Sequence, residues 1–232
     1  MKVLICTDAW YPQVNGVCRT LKNLGDELKK IGHDVEYIEP NLFFTIPMPK
    51  YNEIKLSLNV WPRVGTLIKK AKADVVHIAT EGPIGIFAKR YCVKNNIKFT
   101  TSYHTQFDKY LKLYYPYLPI KLAQKFLKNF HKKAEKILVT TQSMKEELEV
   151  IGFNKDQMVV WTRGANHSSF QNPKKINLEY KRPIFLYVGR VSIEKNIRAF
   201  LDLDLDGTKL IVGKGPDLTK LKKEYPSAIF KG

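Results

Sequence analysis

The amino-terminal part of the chain repeats a short apolar run, a loop and a segment with helical periodicity. Apolar runs of strand length occur in the stretches KVLIC, IGHDVEYIEP, KADVVHIAT, IKFTTSYH and KILVTTQ. From Val17 to Ile31, apolar residues recur at intervals of three and four, which is the period of one helix face. Further helices are predicted near 83–95, 119–134 and 143–151. Apolar strands that alternate with helices predict a parallel sheet covered on both faces.

Two segments interrupt this alternation. The stretch PNLFFTIPMPKYNEIKLSL contains three prolines and predicts an ordered loop followed by a short strand. The stretch RGANHSSFQNPKKINLEYKRP has no clear period and is rich in Asn, Ser, Lys and Pro. We therefore predict a first domain over 1–168, a linker over 169–182 and a second domain over 183–232. The second domain resumes the alternation with PIFLYVG, IEKNIRAFLDL, TKLIVG, PDLTKLKKEY and SAIFKG, which is about half of a doubly wound domain.

The composition is typical of a globular protein, with 44% hydrophobic and 26% charged residues. No apolar stretch approaches the roughly 20 residues that a membrane-spanning helix requires. The first residues, MKVLICTDAWYP, lack the long apolar region of a secretory signal, so we expect a cytoplasmic protein. Three cysteines without CxxC spacing are predicted to be buried, reduced thiols.

The formal net charge of +17 favours an anionic partner: a nucleic acid, an anionic membrane or a phosphorylated small molecule. Between Lys109 and Lys136 there are eight lysines and one acid, Glu135, interleaved with tyrosines and phenylalanines. Two interpretations stay open for this basic segment, a solvated helix face or a surface for an anionic membrane. No helix-turn-helix, RNP, KH or zinc pattern is present, so no nucleic-acid partner is expected.

Three loops that follow predicted strands carry candidate chemistry, because ligands of parallel sheets bind at the carboxyl ends of strands. In TDAWYPQVNG, Asn15 and Gly16 allow close approach of the backbone, and Gly16 opens a helix whose amino terminus favours an anion. The dinucleotide and Walker patterns of glycines are both absent here. Taken alone, this loop is better explained as an ordinary turn, since loops that contain Asn-Gly are common.

The other two loops contain His104 and the pair Arg190 and Lys195. His104 follows a predicted strand and could hydrogen-bond a sugar or phosphate, carry a proton, or cap the next helix. Arg190 directly follows the first predicted strand of the second domain, and Lys195 is predicted in the first turn of the following helix. Their charges suit a diphosphate. The alternative is that Glu194 forms a surface ion pair with one of them.

Taken together, these motifs resemble those of retaining glycosyltransferases of the GT-B fold, in the family called GT4. The similarity is greatest to the lipid-directed and mannose-directed branch. It runs from residue 7 to residue 216. The matching stretches are TDAWYPQVNGVCRTL, HIATEGPIGIFAKRY, YHTQFDKYL, TRGANHSSF, YVGRVSIEKN and VGKGP. The fold implied is α/β, with two Rossmann-like doubly wound domains facing a cleft and the second one incomplete.

For the donor, the resemblance implies roles for four of these residues. Gly16 would face the donor diphosphate, and His104 would contact the donor sugar beside the reacting centre. Arg190 and Lys195 would bind the diphosphate and stabilise the charge that develops as the nucleotide leaves. His104, Arg190 and Lys195 are thus the candidate catalytic residues.

For the acceptor side, the resemblance implies that Asp8, Asn15 and Glu81 line the site and that Arg163 orders the cleft. The resemblance also implies that no metal and no cofactor are needed, and the absence of a DxD motif after a strand agrees with this. The donor is a UDP- or GDP-linked sugar, with glucose, mannose or sulfoquinovose open. The acceptor is a lipid, of diacylglycerol or phosphatidylinositol type, or a glycan. A position on the inner face of the plasma membrane is consistent with a lipid acceptor.

The reaction implied is transfer of a hexose with retention, in which the acceptor attacks the face that the phosphate leaves. No enzymic nucleophile is then needed. The family's two donor-binding glutamates, separated by seven residues, would lie beyond Gly232, so we expect a truncated chain. The alternative is a catalytically incomplete remnant that only binds an acceptor or a membrane.

Overall fold

The computed structural model describes residues 1–13, 15–48, 51–104, 106, 113, 117, 119–164, 171 and 178–231. The predicted linker and the first part of the basic segment therefore lie largely outside the described residues. The chain divides into two compact units, Met1–Ala165 and Asn166–Gly232. In the described part of the chain, no helix is both long and apolar enough to cross a bilayer.

The first unit is built on a six-stranded parallel sheet. Its strands and those of a small hairpin are β1 (Lys2–Cys6), β2 (Asp34–Ile38), β3 (Thr45–Met48), β4 (Tyr51–Ser57), β5 (Val75–Ile78), β6 (Phe99–Tyr103), β7 (Ile137–Val139) and β8 (Met158–Val160). The sheet order is β2-β1-β5-β6-β7-β8, and β3 pairs with β4 in an antiparallel hairpin. Because the chain reverses its direction of winding after β2, the gap between β1 and β5 is a topological switch point, where such sheets bind ligands.

Helices cover both faces of this sheet. They are α1 (Gly16–Lys30), α2 (Arg63–Ala71), α3 (Pro83–Lys94), α4 (Ile120–His131) and α5 (Gln142–Val150). Successive residues of a strand point to opposite faces. Ile5 accordingly packs with Leu21 of α1, whereas Leu4 lies in the other cluster with Ile84 of α3 and Leu127 of α4. This arrangement confirms the predicted α/β fold class with a parallel sheet.

Three elements differ from the sequence-based expectation. The stretch expected as a loop with one short strand contains both β3 and β4 as a hairpin. Helix α2 was not predicted, because it has only nine residues, follows a proline and lacks a side-chain cap. Strand β8 was not predicted either, because three residues are too few to show a period. All three cysteines are buried and free, as expected.

The second unit contains a three-stranded parallel sheet with two helices. Its elements are β9 (Ile184–Val188), α6 (Ile197–Leu201), β10 (Thr208–Val212), α7 (Leu218–Glu224) and β11 (Ile229–Lys231). The sheet order is β11-β10-β9, and Ile211 packs with Val191, Ile197 and Leu221 in its core. One prediction was wrong in detail. Lys195 ends a separate 3-10 turn, and the left-handed residue Asn196 stands between that turn and α6.

Candidate functional site

The carboxyl edge of the six-stranded sheet collects four of the predicted site residues. Asp8 follows β1, Glu81 follows β5, His104 follows β6 and Arg163 follows β8. Because all six strands are parallel, their carboxyl ends lie along the same edge of the sheet. The sequence pattern placed the loops of Asp8 and His104 at this edge, whereas Glu81 and Arg163 were expected at the site only from the resemblance to the family.

Asp8 lies at the switch point and anchors the start of α3. Its carboxylate accepts hydrogen bonds from the amides of Ile84 at 2.8 Å and Gly85 at 3.2 Å, and from the hydroxyl of Thr80 at 2.8 Å. Burial raises the pKa of Asp8 to about 6, although these hydrogen bonds act to lower it. A Cβ on Gly82 would lie 2.5 Å from the Asp8 carboxyl carbon, so a larger residue there would displace this carboxylate. Asp8 therefore has a structural task, and its acceptor role stays a prediction.

Glu81 contacts a buried histidine that the sequence did not single out. Its Oε1 lies 3.3 Å from Nε2 of His131, which is fully buried at the end of α4. The Nδ1 of His131 lies 2.8 Å from the hydroxyl oxygen of Thr101 in β6. His131 thus links Glu81 to the centre of the sheet. The available signal was its position one residue after Phe130 at the end of an amphipathic helix, a position that the periodicity assigns to the core.

His104 and Arg163 are in direct contact. Nη2 of Arg163 lies 3.0 Å from Nδ1 of His104 and 3.4 Å from the His104 carbonyl oxygen. Burial, followed by the Arg163 charge and by His77 and His131, lowers the pKa of His104 to about 3. The imidazole is therefore neutral at pH 7. Its Nε2 is buried and has no hydrogen-bond partner among the described residues.

Asn15 caps α1, and Gly16 is its first residue. The side-chain oxygen of Asn15 accepts a hydrogen bond from the Cys18 amide at 2.9 Å, so this side chain is already engaged within the helix end. Gly16 is exposed, and a Cβ there would meet nothing within 4 Å. The backbone of Gly16 is therefore accessible to a ligand at the amino terminus of a fifteen-residue helix.

In the second unit, the candidate residues follow β9. Nε of Arg190 lies 4.0 Å from Oε1 of Glu194, whose side chain is only 6% exposed. Glu194 thus pairs with Arg190, as the alternative left open by the sequence has it, but with a nearly buried carboxylate rather than on the surface. Lys195 is exposed, and its amine has no hydrogen-bond or ion-pair partner among the described residues.

The loops after β9 and β10 pack backbone against backbone. A Cβ on Gly213 would lie 1.8 Å from the Gly189 carbonyl oxygen, and one on Gly215 would lie 2.1 Å from that of Val191. The Val191 amide donates to the Lys214 carbonyl at 2.9 Å. The two glycines therefore permit a close loop pair that fixes where Arg190 leaves the sheet.

The first comparison with known proteins identifies the family. The sequence profile described as Glycosyltransferase Family 4 matches residues 14–169, which is more than half of the chain. The chain belongs to glycosyltransferase family 4. The matched range includes Gly16, Glu81, His104 and Arg163.

Curated relatives in this family act on different substrates. Sulfoquinovosyl transferase from Arabidopsis thaliana is 26% identical over 92% of this chain and 46% of its own length. A GDP-mannose-dependent α-mannosyltransferase from Corynebacterium glutamicum is 25% identical over 100% of the chain and 62% of its own length. The α-monoglucosyldiacylglycerol synthase of Streptococcus pneumoniae is 24% identical, with 100% and 61% covered. The chain thus spans about half to two thirds of these relatives.

Solved structures show the same fold. Sucrose-phosphate synthase from Thermosynechococcus elongatus superposes with a TM-score of 0.70 at 17% identity, covering 100% of this chain and 70% of its own. The Anabaena HepE protein in complex with UDP and glucose gives a TM-score of 0.65 at 11% identity, with 99% and 68% covered. Over the part that it spans, the chain therefore has the GT-B fold of these neighbours.

Proposed function

We propose that this family 4 glycosyltransferase transfers a hexose from a UDP- or GDP-linked sugar to an acceptor hydroxyl, with retention of configuration and without a metal or cofactor. The buried Nε2 of His104 is the observation that carries the proposal. A polar atom that is buried without a partner costs free energy, which a ligand oxygen would recover. HepE, whose structure contains UDP and glucose, supports a nucleotide-sugar donor.

In the proposed reaction, Arg190 and Lys195 bind the diphosphate and stabilise the charge that develops on it. The backbone at Gly16 adds the favourable end of a helix dipole. The departing phosphate accepts the proton of the acceptor hydroxyl. This assignment is supported by the pKa of His104, which at about 3 makes the imidazole a very weak base.

The acceptor proposed is a membrane lipid of the diacylglycerol or phosphatidylinositol type, with a glycan as the alternative. Relatives include a monoglucosyldiacylglycerol synthase, whose name states a lipid product. The described part of the basic segment supports membrane contact, because α4 exposes Lys121 and Lys125 beside Leu122, 59% exposed, and Phe126, 43% exposed. Lysines next to exposed apolar groups suit an anionic bilayer surface. The proposed location is the cytoplasmic face of the plasma membrane.

The experiment for this function combines the protein with UDP-glucose, UDP-sulfoquinovose and GDP-mannose, each with diacylglycerol, phosphatidylinositol or a soluble glycan. The expected result is one glycosylated product whose anomeric proton signal shows the donor's configuration. Product from none of the combinations would contradict the proposed function, and an inverted product would contradict retention.

Membrane contact is tested separately by flotation with vesicles that contain phosphatidylglycerol. Replacing Lys121 and Lys125 with glutamate is expected to reduce the bound fraction several-fold, because each basic residue near the surface contributes about 1 kcal/mol. The matched control replaces Lys222 and Lys223, which are exposed on α7, and so makes the same change in net charge. Equal loss in both double variants would show that only net charge matters.

A further inference from the structure

The contact between Arg163 and His104 determines which imidazole nitrogen carries the proton. A guanidinium group has only N–H donors and no acceptor. Nδ1 of His104, 3.0 Å from Nη2 of Arg163, must therefore be the accepting, unprotonated nitrogen. In a neutral imidazole the proton then lies on Nε2. This is the nitrogen that is buried without a partner among the described residues, so its N–H is a donor that lacks an acceptor there.

The backbone of Arg163 is held in a rare conformation at this contact. Its φ of 60° lies in the left-handed region, which is unfavourable for a residue other than glycine. Nη2 also reaches the carbonyl oxygen of His104 at 3.4 Å, so the guanidinium contacts both the ring and the main chain. The Trp161 ring lies 6.2 Å from the imidazole and belongs to the same segment after β8. Unfavourable backbone geometry that is retained at a polar contact indicates a positioning task.

Burial of the ring and the titratable groups around it keep His104 neutral. Arg163 faces it from the segment after β8, His77 from β5 and His131 from α4. His77 is itself engaged by Thr100 and Ser102 of β6, at 2.8 and 2.9 Å. These neighbours and the burial of the ring all act to lower the pKa of His104. Of the two carboxylates described at this edge, Glu81 is directed to His131 at 3.3 Å, and Asp8 accepts from the amides of α3.

We propose that Arg163 is a positioning residue that holds His104 as a neutral imidazole protonated on Nε2, so that His104 donates a hydrogen bond to a sugar oxygen and takes up no proton. The ligand in this statement rests on the proposed function, whereas the tautomer does not. The imidazole is thereby a fixed donor whose direction and protonation are set by a residue 59 positions away in the sequence.

The test is nitrogen-15 NMR of the intact protein labelled in its five histidines, with the His104 signals assigned by their loss in His104→Gln. In the wild type, we expect Nδ1 to show the shift of an unprotonated nitrogen and Nε2 that of a protonated one, with no titration from pH 8 to pH 5. In Arg163→Met, the pKa of His104 is expected to rise, because one of the causes that lower it is removed, and the two tautomers should mix. Arg163→Lys should retain part of the wild-type pattern, since an ammonium group also donates.

The matched control is Arg182→Met, an exposed arginine that should leave the His104 signals unchanged. Turnover is expected to fall on the order of tenfold in Arg163→Met, because the N–H group of His104 is no longer held in position. A wild-type His104 that is protonated on Nδ1, or that titrates between pH 8 and pH 5, would overturn the proposal even if every variant failed to fold. The NMR result needs no substrate, so failure to find a donor sugar would contradict the proposed function alone.

Discussion

Asp8, His104 and Arg163 in the first unit are engaged by buried or partly buried partners, whereas Lys195 in the second unit is exposed. The carboxylate of Asp8 accepts from two amides of α3, and Arg163 is bound to His104. In the second unit, the close loop pair around Gly213 fixes the backbone, and Lys195 extends from its own short turn.

This difference separates two ways in which a protein can hold a charged side chain. Groups of the first kind stabilise the fold through the contacts that position them, so their replacement changes stability and activity together. Groups of the second kind are positioned by the backbone alone, so their replacement should change activity with little effect on stability. All three tryptophans, Trp10, Trp61 and Trp161, lie in the first unit, so tryptophan fluorescence follows its unfolding specifically.

The largest effect on stability is expected for Asp8→Ala. The change leaves the amides of Ile84 and Gly85 and the hydroxyl of Thr80 without their acceptor, at a cost of about 3 kcal/mol. Urea unfolding followed by tryptophan fluorescence measures this loss. Asp34→Ala is the control, because Asp34 is exposed and its carboxylate is as far as 4.0 Å from the Lys2 amine. Its replacement should cost less than about 0.5 kcal/mol. A loss in Asp8→Ala no larger than in the control would remove the distinction between the units.

Lys195→Ala should have the opposite character. Turnover is expected to fall about 100-fold, because a charge that stabilises the leaving diphosphate is lost. The free energy of unfolding should change by less than about 0.5 kcal/mol, since the exposed amine has no partner among the described residues. Kinetics and urea unfolding of the same preparation measure both quantities, and Lys222→Ala is the matched surface control. Normal turnover would remove Lys195 from the proposed site.

The sequence predicted the elements and the sheet edge better than it predicted contacts. Long apolar runs such as those of β1, β6 and β9 carry a strong signal, and parallel strands bring their ends together whatever the details. This reasoning is why the loops that contain Asp8 and His104 were expected on one edge. Strand β8, with only three residues, carried no comparable signal, so the position of Arg163 beside His104 could not be derived.

Local conformation was also beyond the sequence pattern. Helical periodicity continues through residues 193–203, yet Asn196 adopts φ 45° and divides the segment into a 3-10 turn and α6. Asparagine tolerates the left-handed region better than most residues do. The sequence around Asn196 nevertheless gives no sign that this conformation is required. His131 is a similar case. Its position on the apolar face of α4 predicts a core residue and does not indicate the contact with Glu81.

An acidic pH should weaken the first unit more than the second. Burial lowers the pKa of His77 to about 4, below its value near 6.5 in an unfolded chain. The stability that follows from this shift is complete above pH 6.5 and is lost as pH falls toward 4, by about 2 kcal/mol at pH 5. In His77→Gln this loss should be absent, so its unfolding free energy should fall less between pH 7 and pH 5.

Two other groups of the first unit also make its stability depend on pH. His104, with a pKa of about 3, acts in the same direction, and Asp8, whose pKa is raised to about 6, acts in the opposite one. Both remain in His77→Gln, so the difference between the slopes isolates His77. The described part of the second unit contains no histidine. The stability of β9 and β10, measured by hydrogen exchange corrected for intrinsic rates, should therefore lack the pH dependence that a buried histidine causes. Identical slopes in wild type and variant would show that His77 is not buried as described.

The smallest effect, about 1 kcal/mol, is expected for Asn15→Ala, which removes the cap of α1. Asn15→Ser should restore the stability, because serine caps a helix as well as asparagine does. Activity then decides whether Asn15 does more than cap. If Asn15→Ser regains turnover together with stability, Asn15 acts by placing Gly16 and the helix terminus. If stability returns and turnover does not, the side-chain amide of Asn15 itself contacts a substrate. Asn15 would then stabilise the fold through its contact, as Asp8 does, and also affect activity separately from stability, as is expected of Lys195.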